Sequence, residues 1–305
     1  MDSPRYAKVI ANPFAGTGAT GRKWPRIHEA LTHAGISFDF ALTEYKGHAI
    51  ELAREAALSG YEMIIAAGGD GTLNEVVNGI VESGRGRDTI LGILNTGTGC
   101  DFARFLRIPR DYHQACLNLV NPRKTLADVG IVECQEADQP VHRFFISAAG
   151  LGFDGEVVGT AEKAPRILHG ATPYLFGIMH SLGSYRNKDI RLRLDDRVED
   201  IRICSVIIAN GGFYASGMRV APDADVKDGL FEVLIIGDIT KFQLLQSFPK
   251  AYRGIPVTHP KVRLEKASRV VIESPEQIRI QADGELLGEG PASFRIIPGA
   301  LNIAV

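Results

Sequence analysis

The sequence predicts a protein of two domains, an α/β domain with a parallel sheet followed by a mostly β domain. Its 305 residues correspond to about two domains of ordinary size. Short apolar runs alternate with helical periodicity over the first third, which is typical of parallel strands joined by crossover helices. From about Asp128 the periodicity becomes that of strands with few helices. The boundary is therefore expected near residue 128.

Strand and helix alternate in the first domain. The predicted strands, short and apolar, are 7–11, 36–42, 63–67 and 90–94. The predicted helices, whose apolar residues recur at three-and-four spacing, are 24–34, 49–57, 73–81 and 112–119. Asn121-Pro122 ends the last of them.

Strand-length alternation prevails in the second domain. The predicted strands are 129–134, 143–148, 190–194, 201–209, 230–236, 269–273, 278–282, 293–297 and 301–305. Its predicted helices are 174–185 and 241–251.

Composition narrows the functional classes. Hydrophobic residues make up 45% and charged residues 23% of the chain, which is ordinary globular usage. The 34 basic and 36 acidic residues give a net charge of −2, so a general field that attracts nucleic acid is not expected. Four scattered cysteines, and an amino terminus without the apolar core of a signal peptide, indicate a reduced, cytoplasmic protein. Apolar runs stop at strand length, so any membrane contact is expected to be peripheral.

A glycine-rich loop, Gly68 to Thr72, lies where a buried strand passes into a helix. Such a position offers unpaired backbone N–H groups and the positive end of the helix dipole, so it can hold a phosphate. Asp70 would repel a phosphate and is expected to hold Mg²⁺, directly or through water. The structural alternative is that Thr72 and Glu75, which have capping-box spacing, cap the helix after a tight turn. Three glycines with a carboxylate favour the phosphate site.

The turn after the first predicted strand, residues 12–16, contains Asn-Pro and continues into glycines spaced G-x-G-x-x-G that end at Gly21. This spacing, with Asp39 or Glu44 further on, also fits a dinucleotide site. An NAD-dependent dehydrogenase is therefore an alternative function. A glycine-rich connection without a ligand is the structural alternative.

A third glycine loop, residues 97–104, again follows a predicted strand. Turns at the ends of three parallel strands would converge at the carboxyl edge of the sheet, where open α/β sheets bind ligands. Asp101 in this loop either caps a helix or lies near a metal ion, and the sequence leaves both open. The three loops together predict a phosphate-binding crevice.

Acidic residues in the second domain form two groups. Asp223, Asp225 and Asp228 are close enough in sequence for mutual repulsion to favour a bound cation, although a solvated turn explains them equally simply. Asp283 and Glu285 flank one glycine and form either a hairpin tip or a carboxylate pair that takes a hydroxyl proton during phosphoryl transfer. Their spacing does not separate these two interpretations.

Together these motifs resemble the diacylglycerol kinase catalytic-domain family, the soluble bacterial lipid kinases related to sphingosine and ceramide kinases. The resemblance covers nearly the whole chain. In the first domain it rests on the Asn-Pro-x-x-Gly turn at 12–16, the run at 68–79 and the loop at 97–104. In the second domain it rests on Gly152-Phe153-Asp154, Ala209-Asn210-Gly211, residues 217–222 with Asp228-Gly229, and Asp283-Gly284-Glu285.

The resemblance implies a doubly wound α/β nucleotide-binding domain at 1–127 and a β-sandwich-like lipid and metal domain at 128–297. The last strand, about 298–305, would return to the first domain, and ATP would lie in the cleft between the two. The positions implied to surround the nucleotide are Asn12, Pro13, Phe14, Ala15, Gly16, Thr43, Gly68, Gly69, Asp70, Gly71, Thr72, Leu73, Asn74 and Thr98.

Metal and catalytic positions are implied in the same way. Asp225, Asp228 and Leu230 would form a metal loop, in which Asp225 and Leu230 act through backbone carbonyls. Asp70 and Asp101 fit a network of Mg²⁺ and water around the phosphates. Glu285 falls at the proton acceptor, and Asp283 lies beside it.

The resemblance predicts an ATP- and Mg²⁺-dependent lipid kinase whose acceptor is a lipid alcohol, most simply diacylglycerol, which would become phosphatidate. A cytoplasmic enzyme peripherally bound to membranes through residues 165–188 is expected, and a homodimer is allowed. An NAD kinase-like phosphotransferase and the dehydrogenase are alternatives. A catalytically silent lipid- or nucleotide-binding protein is another alternative, because this chain departs from the family at three positions. Family members usually have Pro at the position of Asn95 and Asn at the position of Cys100, and they often have Asn at the position of Ser147.

Overall fold

The computed structural model describes residues 6–97, 99–137, 139–165, 172–254 and 259–305. The chain forms two units. One comprises the residues up to Asp128 together with Pro298–Val305, and the other comprises Val129–Ile297. No helix within the described ranges has the length and apolar character needed to cross a bilayer.

Strands and helices alternate in the first unit. Its first four strands are β1 (Tyr6–Ala11), β2 (Ser37–Leu42), β3 (Met63–Gly68) and β4 (Ile90–Asn95). Its helices are α1 (Ala15–His33), α2 (His48–Leu58), α3 (Asp70–Glu82), α4 (Asp101–Phe105) and α5 (Tyr112–Val120).

Strands dominate the remainder of the chain. They are β5 (Lys124–Glu136), β6 (Gln139–Phe145), β7 (Ala148–Gly152), β8 (Lys188–Leu194), β9 (Arg197–Ala209), β10 (Phe213–Tyr214), β11 (Met218–Arg219), β12 (Phe231–Gly237), β13 (Val262–Ala267), β14 (Arg269–Glu273), β15 (Arg279–Ala282) and β16 (Glu285–Ala304). The helices among them are α6 (Phe153–Ala161), α7 (Thr172–Ser184) and α8 (Lys241–Tyr252).

The sheet of the first unit is parallel and has the order β2-β1-β3-β4. The end of β16 joins it, because Asn302 and Ile303 pair in parallel with Ile90 and Leu91 of β4. The strand order reverses between β1 and β3. Such a switch point leaves a crevice at the carboxyl ends of the two strands, where open sheets bind ligands.

Helices cover both faces of this sheet. Val9 of β1 shares an apolar core with Ile27 of α1 and Leu119 of α5. Ile10, the next residue along β1, is equally buried, and alternation in a strand turns its side chain to the other face, where α2 and α3 pack. The prediction of a doubly wound α/β fold is therefore confirmed.

Helices α2 and α3 approach most closely at Gly79. A methyl group there would overlap the carbonyl oxygen of Ile50 and lie 2.8 Å from the Cβ of Ala53. We expect Gly79→Ala to lower the free energy of unfolding by about 1–3 kcal/mol, because the overpacking must push the helices apart. Urea unfolding followed by circular dichroism measures this change.

Gly183→Ala in α7 is the matched control, because a methyl group there meets no atom within 4 Å. It should be neutral or slightly stabilising, since alanine is the better helix former. Equal unfolding free energies for the two variants would contradict the close packing of α2 on α3.

Antiparallel strands form the second unit. One path of neighbours runs β13-β12-β9-β7-β15-β16, and a second returns from β9 through β8 and β14 to β16, while β5 and β6 pair beside it. The strands enclose an apolar core that contains Leu192, Ile208 and Phe294. Within it the rings of Phe145 and Phe231 stack 5.6 Å apart. The β-sandwich-like prediction is therefore confirmed.

The predicted boundaries differ from the structure in two ways. The strands expected at 293–297 and 301–305 are one strand, β16, because Arg87 donates to the carbonyls of Pro298 and Gly299 and the chain continues through them. Helix α6 and strands β7, β10, β11 and β13 were not predicted. A methyl group on Gly155 or Gly159 of α6 would crowd Arg279, so these glycines, which disfavour a helix locally, allow its packing.

Candidate active site

Three loops meet at the carboxyl edge of the first unit's sheet, after β1, β3 and β4. The N–H groups of Thr96 and Gly97 donate to the carbonyl of Gly68 over 3.0 and 3.1 Å. The hydroxyls of Thr20 and Thr96 lie 2.5 Å apart. A methyl group on Gly97 would lie only 2.6 Å from the Cα of Gly69. The expected convergence of the loops is therefore present, and glycine is what allows it.

Backbone N–H groups face this edge. Helix α3 begins after its N-cap residue, Gly69, which has no side chain that could accept the first N–H groups of the helix. The first N–H groups of a helix have no helical partner, so those of residues 70–72 are available to an anion. The first loop interrupts the start of α1, because Gly16, Thr17 and Gly18 all have left-handed backbone, with φ of 59°, 57° and 79°. The N–H of Phe14 is held by the side chain of Asn12 at 2.9 Å.

The carboxylate of Asp70 connects the second and third loops. It accepts the N–H groups of Cys100 and Asp101 over 2.6 and 2.9 Å, and thereby caps α4. Burial, followed by the charge of Asp101, raises the pKa of Asp70 to about 6. Asp101 is also paired with Arg104 at 3.0 Å. The interpretation of Asp101 as the cap is wrong, since Asp70 supplies that cap.

The donor set at this edge fits Mg²⁺ held partly through water. The half-buried Asp70 and the buried Asp101 lie beside a helix N-terminus, and the charge of Asp101 adds to the cost of ionising Asp70. A divalent cation would relieve that repulsion, and Mg²⁺ in proteins usually keeps several waters. No group of three or more His, Cys, Asp or Glu side chains that could hold a metal ion occurs among the residues that the structure describes.

Glu75 does not form the capping box that was the structural alternative to a phosphate site. Its carboxylate instead accepts the N–H groups of Gly47 and Ala49, over 2.9 and 3.1 Å, at the start of α2. This contact fixes the segment after β2. Thr43 in that segment donates its N–H to Ala11 over 2.9 Å, so Thr43 lies beside the first loop.

Other predicted nucleotide positions differ in their exposure. Leu73 and Asn74 are buried in α3, and Asn78 donates to the side chain of Asn74 at 3.1 Å. Thr98 lies outside the described residues. The Cys100 thiol, where the family usually has Asn, is 3.7 Å from the carbonyl of Gly68, so it still contacts the second loop. Burial raises the pKa of this thiol, which makes it a poor nucleophile.

The dinucleotide interpretation of the first loop offered two acidic residues, of which Asp39 does not fit, whereas Glu44 lies just after the end of β2. Asp39 pairs with Lys8 in the middle of β2 rather than at its end. Its carboxylate accepts the hydroxyls of Tyr6 and Tyr61, and these hydrogen bonds lower the pKa of Asp39. A ribose-binding carboxylate belongs at the ligand edge of the sheet.

In the second unit, Asp283 and Gly284 form the two-residue turn between β15 and β16, with φ of 47° and 85°. The Asp283 carboxylate accepts N–H groups of Ile146, Ser147 and Ala148 over 2.9, 2.9 and 3.1 Å. Asp283 therefore anchors the connection between β6 and β7. The hairpin-tip interpretation is thus present, and the tip is also tied to a second loop.

Glu285 follows this turn. Arg143 of β6 donates to it over 2.8 Å, and both side chains are largely buried. Asn210 holds the same connection from the other side, because it donates its side-chain amide to Ile146 over 3.0 Å. These contacts hold Glu285 and the neighbouring connection in place, and the role of Glu285 as proton acceptor stays a prediction.

The side chains of the expected metal loop have protein partners. Asp225 accepts the N–H of Lys227, and Asp228 accepts that of Leu230 over 3.0 Å. The second oxygen of Asp228 accepts the ammonium group of Lys266 over 2.9 Å. These are turn contacts, and the role of Asp225, Asp228 and Leu230 as metal ligands stays a prediction.

An apolar cavity of about 210 Å³ lies in the second unit. Side chains from α8, β12 and β13 line it, among them Leu234, Leu244 and Phe248. Asp154 and Tyr214 stand in its wall. Sequence reasoning marked Asp154 only as part of a motif and did not find the cavity.

Asp154 is fully enclosed. It accepts the hydroxyl of Tyr214 and, over 2.7 Å, the side-chain amide of Gln281. Burial raises its pKa to about 6, although both hydrogen bonds lower it. The pKa of Asp154 is higher in the folded protein than in the unfolded chain, so its contribution to stability is fully present below the ordinary pKa of a carboxyl. This contribution is lost as pH rises through about 6.

Asp154→Asn should therefore remove part of the pH dependence of folding. The difference between an ordinary carboxyl and one that titrates near 6 corresponds to about 3 kcal/mol. From about pH 4 to about pH 7, the free energy of unfolding of the variant, measured in urea, should rise by roughly that amount relative to that of wild type.

Tyr214→Phe is the companion variant. It keeps the carboxylate but removes a hydroxyl that lowers its pKa, so the loss of stability should extend to higher pH. A difference between Asp154→Asn and wild type that does not vary with pH would show that Asp154 titrates normally.

The fold and these loops define a class, that of two-unit kinases with a doubly wound nucleotide-binding unit and a β-sandwich-like unit. Residues 6–132 match the family described as the diacylglycerol kinase catalytic domain. Residues 147–305 match the family described as the YegS C-terminal NAD kinase beta sandwich-like domain.

Whole-chain comparisons agree with these matches. The chain is 32% identical to a diacylglycerol kinase of Staphylococcus carnosus (strain TM300) over 95% of this chain and 92% of the relative. It is 31% identical to a diacylglycerol kinase of Bacillus subtilis (strain 168) over 95% and 93%. The crystal structure of a diacylglycerol kinase from Bacillus anthracis strain Sterne has the same fold, with a TM-score of 0.74, 21% identity, and coverage of 98% and 96%.

The chain therefore belongs to the diacylglycerol kinase family. It is a lipid kinase, an enzyme that transfers a phosphoryl group to an alcohol.

Proposed function

We propose that this protein is an ATP- and Mg²⁺-dependent kinase that phosphorylates the hydroxyl of diacylglycerol to give phosphatidate. The observation that carries the proposal is the convergence of three glycine loops around the half-buried Asp70. Relatives that match almost the whole chain are named diacylglycerol kinase, which supports this acceptor.

The N-terminal N–H groups of α3 would bind the nucleotide phosphates, and the first and third loops would enclose them. Bound Mg²⁺ would neutralise charge on the phosphates. Asp70 and Asp101 would hold it through water, while the same Asp70 keeps the third loop in place. Catalysis on this side is positioning and charge neutralisation.

On the acceptor side, Glu285 would take the proton of the lipid hydroxyl. The hydroxyl oxygen forms a bond to the γ-phosphorus, the bond to the β–γ bridging oxygen breaks, and ADP leaves. Arg143 would orient Glu285, and Asp283 would hold the turn that carries it. These roles rest on the contacts within the second unit.

The apolar cavity supports a lipid acceptor. Its lining is mostly aliphatic and aromatic, so it suits an acyl chain better than a sugar or a nucleotide. Four cysteines that are all buried free thiols agree with a cytoplasmic location.

We further propose that α7 and α8 contact the membrane surface. Tyr174, Ile178 and Leu182 of α7 pack inward, in the same cluster as Leu244 and Phe248 of α8. The outward side chains are apolar as well; these are Leu175, Phe176 and Met179 of α7 and Phe242 and Leu245 of α8. Leu168, which was also expected to contact lipid, lies outside the described residues.

The deciding experiment uses radiolabelled ATP with a panel of acceptors: diacylglycerols of short and long chain, sphingosine, ceramide and NAD. The proposal expects phosphatidate as the main product, Mg²⁺ dependence and loss of activity in Asp70→Asn. Preferential phosphorylation of NAD would establish the NAD kinase-like alternative. Binding of ATP without transfer to any acceptor would establish the silent alternative.

The membrane proposal has its own test. Leu175→Glu with Met179→Glu should reduce cosedimentation with anionic vesicles, because two exposed apolar side chains are replaced by acids. Leu58→Glu, at an equally exposed leucine of α2, is the control and should bind as wild type does. Equal vesicle binding by both variants would remove α7 from the membrane surface. The homodimer that the resemblance allows is tested separately by analytical ultracentrifugation.

A further inference from the structure

The loop 225–230 contacts a lysine from a distant strand. Lys266 of β13 is paired directly with Glu232 of β12 in the antiparallel register. Its ammonium group lies 2.9 Å from the carboxylate of Asp228 and 3.5 Å from that of Glu232. One cation of the protein therefore serves two acids, one in the loop and one in the strand that follows it.

The same oxygens are the ones that a divalent cation would need. One oxygen of Asp228 accepts the N–H of Leu230, and the other accepts the ammonium group. The carbonyl of Asp225 accepts the N–H of Asp228 over 3.3 Å. Mg²⁺ binds carboxylate oxygens at short distance, and an ammonium group on the same carboxylate would repel it, so Lys266 would have to move away before the ion could bind.

Displacement of Lys266 by a metal ion carries a further cost. Glu232 is only 5% exposed. A buried carboxylate that loses its counter-charge is strongly destabilised. The residues of this loop therefore do not fit a metal ion as long as Lys266 is in place.

We propose that the ammonium group of Lys266 replaces the divalent cation that the family resemblance implies at the loop 225–230. The loop is then stable without metal, and the second unit folds independently of Mg²⁺. This inference concerns the second unit alone and does not depend on the proposed lipid acceptor.

The test uses the full chain without nucleotide. Wild type, Lys266→Met and Lys227→Met are compared by thermal unfolding in EDTA and in excess MgCl₂, and Mn²⁺ binding is followed by electron paramagnetic resonance. Methionine keeps the length of lysine and removes its charge. Lys227 lies in the same loop with an exposed side chain, so Lys227→Met controls for the loss of a nearby positive charge.

Wild type and Lys227→Met should have the same melting temperature in EDTA and in MgCl₂. Lys266→Met should melt several degrees lower in EDTA, recover in MgCl₂, and bind one Mn²⁺ that is lost when Asp228→Asn is added. Two results would overturn the proposal. One is Mn²⁺ binding by wild type that Asp228→Asn abolishes; the other is a folded Lys266→Met that binds no metal.

If Lys266→Met does not fold, the wild-type Mn²⁺ titration still decides. Binding that depends on Asp228 overturns the proposal. The absence of such binding, together with a folded Lys266→Arg that also melts independently of Mg²⁺, supports it, because arginine keeps the positive charge beside Asp228.

Discussion

Glu285→Gln is expected to lower kcat by about 10²- to 10⁴-fold, the usual contribution of a positioned general base. Glutamine matches glutamate in shape but cannot take the hydroxyl proton. Its amide also loses the ion pair with Arg143. Initial rates of diacylglycerol phosphorylation at saturating ATP measure the effect, and KM for ATP should change little.

Two further variants separate the effect of Glu285 from the effects of Arg143 and Asp283. Arg143→Lys keeps a cation beside Glu285 and should lose far less activity than Glu285→Gln. In Asp283→Asn, asparagine can adopt the left-handed backbone of the turn, but the negative charge that accepts the N–H groups of residues 146–148 is lost. This variant should therefore be less stable as well as less active. If Glu285→Gln keeps near-normal turnover, Glu285 is not the proton acceptor.

Asp70→Asn is expected to lower kcat/KM for ATP by about 10²-fold or more. The carboxylate accepts two backbone N–H groups, of Cys100 and Asp101, whereas asparagine offers one oxygen and one N–H₂. One donor would then face another donor, so the third loop must shift. The variant also removes one of the two carboxylates proposed to hold Mg²⁺.

Cys100→Ala is the matched control for the third loop. It removes a weak thiol contact to Gly68 but leaves the N–H groups that Asp70 accepts, so activity should stay within a few-fold of wild type. Steady-state kinetics with varied MgATP measures both variants, and circular dichroism verifies folding. Similar losses in the two variants would show that loop packing in general, rather than the Asp70 carboxylate, carries the effect.

Much of the fold was predictable because its signals are local. Apolar strands followed by glycines locate β1, β3 and β4 and the loops after them. Once the strands are parallel, their ends must share one edge, so convergence follows from topology. The turn at Asp283 and Gly284 was recognisable for the same reason, since its residue types suit a two-residue hairpin.

The capping contacts were not predictable, because they join residues far apart in sequence. Asp70 caps α4 from about 30 residues away, and Glu75 caps α2 rather than its own helix. Spacing rules such as the capping box see only neighbours within one helix turn. The partnership of Lys266 with Asp228 and Glu232 depends likewise on the register between β12 and β13.

The apolar cavity escaped prediction for a related reason. Its lining comes from α8, β12, β13 and residues near Asp154, which are distributed over about a hundred residues of sequence. Each contributor looks like an ordinary core residue in its own element. Only the motif that contains Asp154 indicated a functional role for this part of the chain.

Strand β16 has a consequence for how the chain is made. Its last residues pair with β4, and the N–H of Val305 donates to Arg123 over 2.8 Å, so the first unit contains both ends of the described polypeptide. During synthesis most of this unit emerges first, but β4 gains its neighbour only after residues 302 and 303 have been translated. A fragment that stops at residue 128 would leave that strand edge open to other chains. Isolation of the unit therefore calls for a short linker that joins residue 128 directly to residue 298.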